Sequence, residues 1–376
     1  MKAELERVEI PGEHEARQRA WSMLESAFAE RVPVERRRHT WRPAVAVAVV
    51  VAALAAIVTS PGRAVLDGLR EVVGVERAQP ALFSLPGDGR LLVASDAGVW
   101  VVQPDGSKRL LGPYREASWS PFGRFIVATR ENELAALEPD GDVHWTLSRP
   151  APRGAIWTGS ETDTRIAYVD RSGLRVVAGD GEGDHLLAAH VRVPLAWRPG
   201  TSHVLAYVVR SHIRLQDVDT RRVLWHRRLA DPGSPVRALT WSSDGTRLVV
   251  LQPFALRVYG RDGQVLGQDD PSDATRDRDA TFRPGTRAVS VIRLHGAQSS
   301  VFGLRAGGPQ FSGTGIFDRL QWSPDGHWLL VTWPTADQWV FVRADGGTRR
   351  IRAVANVSQQ FRSRAFPRVE GWCCGP

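Results

Sequence analysis

The sequence predicts an all-β protein, a seven-bladed β-propeller of four-stranded antiparallel blades, preceded by a short cytoplasmic helix and one transmembrane helix. Three observations predict it. An aromatic residue followed by a tight turn recurs every 36 to 44 residues, and such a period indicates stacked repeats. The 376 residues include 35 Gly and 24 Pro, which is typical of many short elements joined by turns. One apolar segment near the N-terminus is long enough to cross a membrane.

Residues 11–32, "PGEHEARQRAWSMLESAFAERV", predict an amphipathic helix within a cytoplasmic segment, residues 1–42. Pro11 suits the first turn of a helix, and Ala16, Ala20 and Leu24 fall on one stripe. So short a helix does not bury its stripe alone. We expect it to lie on the membrane, to bind a cytoplasmic protein partner, or to remain a weakly ordered tail.

Residues 43–60 predict the membrane span, because Ala44 to Val58 carry no polar or charged side chain. Four arginines precede it, and the positive-inside rule therefore places the N-terminus in the cytoplasm and the later residues outside. These topology determinants are Arg36, Arg37, Arg38 and Arg42. A cleaved signal peptide is the alternative, but its basic region would be unusually long and no clear cleavage site follows. We expect an uncleaved anchor in the cell membrane, a juxtamembrane stalk over residues 61–79 and an extracytoplasmic propeller over residues 80–376.

Each repeat begins with a short apolar run that ends at the marker aromatic. A turn such as "SPDG" follows, with Pro, Asp and Gly at the positions that a tight turn favours. Three further runs rich in β-branched and aromatic residues complete four strands, and such a small sheet must stack on neighbours to cover its faces. We expect the markers to pack between blades. They are Phe83, Trp119, Trp157, Trp197, Trp241, Phe282 and Trp322.

The first repeat is degenerate, so the count is seven blades, or six if residues near Leu82 belong to the stalk. We expect an extra C-terminal strand around Trp372 to complete the first blade, as closure of a ring requires.

The motif "WSPDG" at Trp322–Gly326, with "WSSDG" at Trp241–Gly245, resembles the WD40-like repeat of TolB-type propellers over about residues 80 to 370. The strings that end at Trp145 and Trp225 resemble the tryptophan-ending repeat of quinoprotein propellers, although Arg221 stands where that repeat has Gly. The whole layout resembles uncharacterised membrane-anchored propeller proteins of actinobacteria. That resemblance implies a fold and no activity.

Composition and motifs argue against catalysis and against nucleic-acid binding. The net charge is +8, but the arginines are scattered among acids without the basic stripe that phosphate backbones need. No Gly-x-Ser-x-Gly elbow or metal-binding histidine spacing occurs, so we expect no enzyme, no cofactor and no metal. The acidic residues 267–280 suggest a solvated loop rather than a Ca²⁺ site. The only cysteines, Cys373 and Cys374, are either unpaired thiols or a vicinal bridge.

The sequence therefore predicts a non-catalytic binding or scaffolding module whose partner is a protein or an envelope ligand. One alternative is an anti-sigma-like transmembrane regulator that couples an outer ligand to the cytoplasmic helix. Another is a quinoprotein-like enzyme, which depends only on the motifs at Trp145 and Trp225.

Overall fold

The structure is a computed structural model. The residues that it describes are 75–79, 84–160, 162–200, 203–272, 274–304, 309–344 and 350–374. The predicted cytoplasmic helix, the predicted span and its flanking arginines lie outside these residues. No helix among the described residues is long and apolar enough to span a membrane.

Blades 2 to 5 follow one another along the chain, and each is a four-stranded antiparallel sheet whose strands lie in sequence order. Blade 2 comprises β5 Glu116–Trp119, β6 Ile126–Arg130, β7 Glu133–Leu137 and β8 Val143–Ser148. Blade 3 comprises β9 Arg153–Gly159, β10 Thr164–Val169, β11 Leu174–Ala178 and β12 His185–Ala188. Blade 4 comprises β13 Val191–Trp197, β14 Val204–Val209, β15 His212–Asp217 and β16 Val223–Arg228. Blade 5 comprises β17 Ala238–Trp241, β18 Arg247–Gln252, β19 Ala255–Gly260 and β20 Val265–Asp269.

Blades 6, 7 and 1 complete the molecule, and blade 1 contains strands from both ends of the described chain. Blade 6 comprises β21 Thr275–Phe282, β22 Val289–His295, β23 Gln298–Gly303 and β24 Pro309–Thr314. Blade 7 comprises β25 Leu320–Trp322, β26 Trp328–Trp333, β27 Gln338–Arg343 and β28 Ile351–Ala355. Blade 1 comprises β29 Arg368–Cys373, β2 Arg90–Ser95, β3 Gly98–Val102 and β4 Lys108–Gly112.

The first strand of each blade lies innermost, and the seven inner strands form a closed ring. Their spatial order is β29, β5, β9, β13, β17, β21, β25 and back to β29. The structure therefore confirms a propeller of seven blades and excludes the six-bladed alternative.

The C-terminal strand β29 closes the ring by pairing antiparallel with β2, with Trp372 opposite Leu91. Blade 1 has no inner strand without it, because the chain enters that blade at β2. The predicted closing strand is thus confirmed. Cys373 and Cys374, at its end, are joined by a disulfide.

The core consists of seven apolar clusters, each made from two neighbouring blades. Trp241 of blade 5, for example, packs with Ile213 and Leu215 of blade 4. In the same way, Trp119, Trp157, Trp197, Phe282 and Trp322 each pack on the preceding blade. Phe83 lies outside the described residues, and Trp372 takes the corresponding position in blade 1.

Three further elements lie outside the four-strand pattern. Strand β1, Val75–Gln79, at the end of the predicted stalk, pairs parallel with β28 as a fifth strand at the outer edge of blade 7. A short 3-10 helix, Pro334–Ala336, connects β26 to β27, and the one-turn helix α1, Val357–Gln360, precedes β29.

Candidate functional site

The seven inner strands run in the same direction around the central channel. The start of β5 touches the start of β9, where the Glu116 carboxylate accepts a 2.6 Å hydrogen bond from the Gly154 N–H. The ends of neighbouring inner strands also meet, since the ring of Trp119, at the end of β5, lies against Gly371 of β29. The propeller therefore has two distinct faces. We call the face with the strand starts the mouth face, and the face with the "SPDG"-like turns the turn face.

The mouth face carries one arginine from every blade, near the start of the inner strand. In four blades this arginine stands four residues before the marker aromatic, and in blade 1 Arg368 stands four residues before Trp372. We call these residues the arginine ring: Arg115, Arg153, Arg192, Arg237, Arg278, Arg319 and Arg368.

Acidic side chains share half of this mouth. They come from the inner-strand starts of blades 6, 7, 1 and 2, and they are Asp277, Asp279, Asp318, Glu370 and Glu116. Arg278 lies 3.1 Å from Asp318, and Arg368 lies 2.9 Å from Glu370. These contacts neutralise much of the positive charge on this half of the ring.

Burial changes the titration of several of these acids. It raises the pKa of Asp279 to about 6 and raises the pKa of Glu370, while Arg319 and Arg368 respectively oppose the shift. Burial also raises the pKa of Asp277, although Arg293 lies 2.7 Å from that carboxylate. Asp277 and Asp279 are thus buried among neighbouring strands, at 2% and 6% exposure.

The other half of the mouth is basic. Strands β9, β13 and β17 contain no acid, and Arg153, Arg192 and Arg237 at their starts are exposed. Two more exposed arginines, Arg171 and Arg210, follow β10 and β14 on the same face. Within the part of the chain that the structure describes, these five side chains form no ion pair or hydrogen bond. We call them the arginine arc.

Exposed apolar side chains stand beside these charges on the mouth face. Val193 is 41% exposed next to Arg192, and Phe254 is 37% exposed in the turn between β18 and β19. Ile316, just before β25, is 36% exposed. The mouth therefore presents a few separate apolar side chains beside its cationic groups.

The turn face is built from hydrogen-bonded turns. In the turn of blade 5, Ser242 Oγ donates to the Asp244 carboxylate, and the Gly245 N–H donates to the Ser242 carbonyl over 2.9 Å. The Ser242 and Thr246 hydroxyls hold the pKa of Asp244 well below its usual range. The Asp244 carboxylate therefore serves to stabilise its turn.

One cleft of about 300 Å³ lies between blades 2 and 3 on the turn face. Phe125 stacks on Trp157 in it, with ring centres 5.9 Å apart, and His144 lies 5.0 Å from the ring of Phe125. Its described lining residues include the carboxylates of Asp163 and Asp180, and Asp163 pairs with Arg165.

Trp145 and Trp225 occupy equivalent places on the outermost strands of blades 2 and 4. The Trp145 Nε1–H donates to the Gly179 carbonyl of blade 3 over 2.8 Å. The Trp225 Nε1–H donates to the Arg261 carbonyl of blade 5 over 3.1 Å. The two motifs that resemble quinoprotein repeats therefore hold neighbouring blades together, far from the channel.

The acidic residues 267–280 are not a single solvated loop. Strand β20 ends at Asp269 and β21 begins at Thr275, so most of this segment lies in strands. Asp269 and Asp277 both pair with Arg293, at 2.8 and 2.7 Å. Asp270 pairs with Arg257. No group of metal-ligating side chains is present among the described residues.

Comparison with known proteins identifies the fold. The C-terminal WD40 domain of Sif2 superposes with a TM-score of 0.52 at 13% identity, over 71% of this chain and 85% of that one. The β-propeller domain of Myceliophteria thermophila Cps50 (Swd1) superposes with a TM-score of 0.50 at 10% identity, over 64% and 85%. The fold is that of a WD40-like propeller. No protein-family model and no curated protein match the sequence.

Sequence reasoning about this WD40-like propeller missed the arginine ring. Along the sequence the arginines look scattered, because they are about 40 residues apart and separated by acids. The signal is an arginine three to five residues before six of the seven marker aromatics and four residues before Trp372. Aligning the repeats on the aromatic would have revealed it.

Proposed function

We propose that this protein is a membrane-anchored, extracytoplasmic and non-catalytic propeller that binds a protein or envelope ligand on its mouth face. One observation carries the proposal: every blade contributes an arginine to one mouth, and three adjacent inner strands leave theirs exposed and unpaired. A rigid ring that aims like-charged groups at one opening suits recognition, because binding residues are commonly positioned by rigid scaffolds.

Anchoring and orientation are supported by the uncharged segment at residues 43–60 and the arginines before it. The turns with "WSPDG" and "WSSDG" support a TolB-type relationship within the WD40-like fold.

The experiment uses intact cells that express the full chain with an epitope at its C-terminus. An antibody added outside should label these cells without permeabilisation, and the chain should remain in the membrane fraction after a high-salt wash. Chemical crosslinking in the same cells, followed by mass spectrometry, should capture a partner. A label that requires permeabilisation would contradict the topology, and a chain that copurifies with no partner or envelope polymer would contradict the binding role.

A regulator of the anti-sigma type is the second candidate, favoured by the apolar stripe on residues 11–32. In this role, a ligand on the propeller alters what that helix binds inside the cell. Deleting residues 1–30 should abolish a transcriptional response if the protein is a regulator, and should leave capture of the outer partner unchanged if it is a scaffold.

A quinone-dependent enzyme is supported only by the resemblance at Trp145 and Trp225, whose indoles make contacts between blades. Incubating the purified chain with a quinone cofactor tests this candidate. The scaffold proposal expects no cofactor absorbance to remain bound after gel filtration, and a stoichiometric chromophore would instead support the enzyme.

A further inference from the structure

The two halves of the mouth face differ in their balance of charge, since acids offset the arginines on one half. Blades 3 to 5 supply the arginine arc, whereas blades 6, 7, 1 and 2 supply the acids of the mouth. The arc is continuous, because β9, β13 and β17 are neighbours and Gly154, next to Arg153, lies directly against Val193, next to Arg192.

The basic half selects for anionic groups. Guanidinium groups bind carboxylates and phosphates through paired hydrogen bonds, and several at one site raise both affinity and the rate of association. The inner three arginines lie at the channel rim, and Arg171 and Arg210 lie farther out on the same blades. A ligand with several adjacent anionic groups would engage more than one of them.

The acidic half of the mouth, on blades 6, 7, 1 and 2, restricts which anionic ligands can bind. A uniform polyanion that followed the rim would pass close to the partly exposed carboxylates of Asp318 and Glu116, and like charges in proximity cost affinity. A protein segment avoids this cost, because its acidic residues can face the arc while neutral or basic residues cross the other half. Val193, Phe254 and Ile316 add apolar contacts that side chains of a peptide can use.

We propose that the arginine arc binds an acidic peptide segment of a protein partner, with the following neutral or basic residues lying over the acidic half of the mouth. This assignment rests on the proposed binding function and specifies the chemistry of its partner. The bound segment crosses the mouth instead of entering the blades, since the six marker aromatics that the structure describes pack between neighbouring blades and are 5 to 9% exposed.

The test measures fluorescence anisotropy of labelled peptides with the purified full-length chain. One peptide has a glutamate block, a neutral spacer and a lysine block, a second has glutamate throughout, and a third is a scrambled form of the first. Unlabelled inorganic polyphosphate serves as competitor. We expect the block peptide to bind more tightly than the other two.

The triple variant should bind the block peptide with about tenfold lower affinity, because exposed ion pairs each contribute modestly. It combines Arg153→Ala, Arg192→Ala and Arg237→Ala. The matched control combines Arg124→Ala, Arg222→Ala and Arg261→Ala on the turn face, where all three side chains are exposed. It removes the same charge and should change the affinity less than about twofold. Circular dichroism of both variants should match the parent protein.

An equal loss of affinity in both variants would overturn the proposal, because binding would then follow net charge. Polyphosphate that binds at the arc more tightly than the block peptide would also overturn it, in favour of a phosphate polymer. If no probe binds while crosslinking in cells still captures a partner, the arc assignment fails and the binding function stands.

Discussion

The Asp279 carboxylate of blade 6 accepts a hydrogen bond from the backbone N–H of Leu320 in blade 7, over 2.8 Å. Glu116 of blade 2 makes the corresponding bond to the Gly154 N–H of blade 3. In both cases an acid at the start of one inner strand holds the start of the next one. Part of the acidic half of the mouth is therefore needed for ring geometry, and this explains why it is buried while the arginine arc is exposed.

Asp279 should make stability depend on pH. Burial raises its pKa from 3.8 to about 6, so the folded state holds the proton more tightly than the unfolded chain. The stabilisation is fully present below about pH 4 and is lost as the pH rises through 6, with an upper size of about 3 kcal/mol. Urea unfolding of the parent protein and of Asp279→Asn, measured across this pH range, tests the expected loss of stability. The parent should lose stability relative to the variant as the pH rises, whereas parallel profiles would refute the role of burial.

Ring closure should depend on Trp372. Its indole packs against Phe341 of blade 7 at 5.7 Å and donates a hydrogen bond to the Asp88 carbonyl over 2.9 Å. Trp372→Ala should lower the free energy of unfolding by about 3 to 5 kcal/mol, as expected for removal of a buried aromatic ring. Phe122→Ala, at a side chain that is 50% exposed, is the control and should change it by less than about 0.5 kcal/mol. A similar loss in both variants would argue against closure by β29.

The outer tryptophans should act independently. Trp145→Phe and Trp225→Phe each keep most of the ring but remove one N–H···O bond, at a cost of about 1 kcal/mol. The two sites belong to different pairs of blades, so the double variant should show the sum of the two losses. Thermal unfolding measures this, and marked non-additivity would indicate that the two contacts are coupled.

Gly154 should tolerate no side chain. Its φ is +60°, and a Cβ there would lie 2.2 Å from Val193 Cγ1. Gly154→Ala should destabilise the protein by both backbone strain and collision, by about 1 to 3 kcal/mol or more. Adding Val193→Ala removes the collision and should recover part of the loss but not the part due to φ. Denaturant titration of the parent, the two single variants and the double variant separates the cost of backbone strain from the cost of the collision. Complete recovery of stability in the double variant would show that the positive φ of Gly154 is unimportant.

The sequence predicted the architecture because each repeat carries local signals. The turn at Trp322–Gly326 and the alternating strands after it specify a hairpin without distant contacts. The closing strand around Trp372 can be predicted because closure of a ring of blades often needs one chain end to complete the first blade.

The site was less predictable, because it depends on contacts between blades. Arg153 and Arg278 have the same spacing from their aromatic, yet only Arg278 meets an acid, Asp318, which is supplied by the next blade. The sequence alone does not determine the state of Cys373 and Cys374, since adjacent cysteines permit either form, and the structure joins them in a disulfide. Fold class follows from periodicity, whereas the charge balance of the mouth follows from the register of neighbouring blades.

Site-specific photocrosslinking in intact cells tests the central claim most directly. A photoreactive phenylalanine analogue replaces either Phe254 on the mouth face or Phe122 on the turn face, both of which are exposed. We expect the analogue at position 254 to capture a protein partner and the one at position 122 to capture none. Alanine at Arg153, Arg192 and Arg237 should abolish the capture from position 254. Capture of that partner from position 122 but not from 254 would contradict the claim that the mouth face is the binding surface.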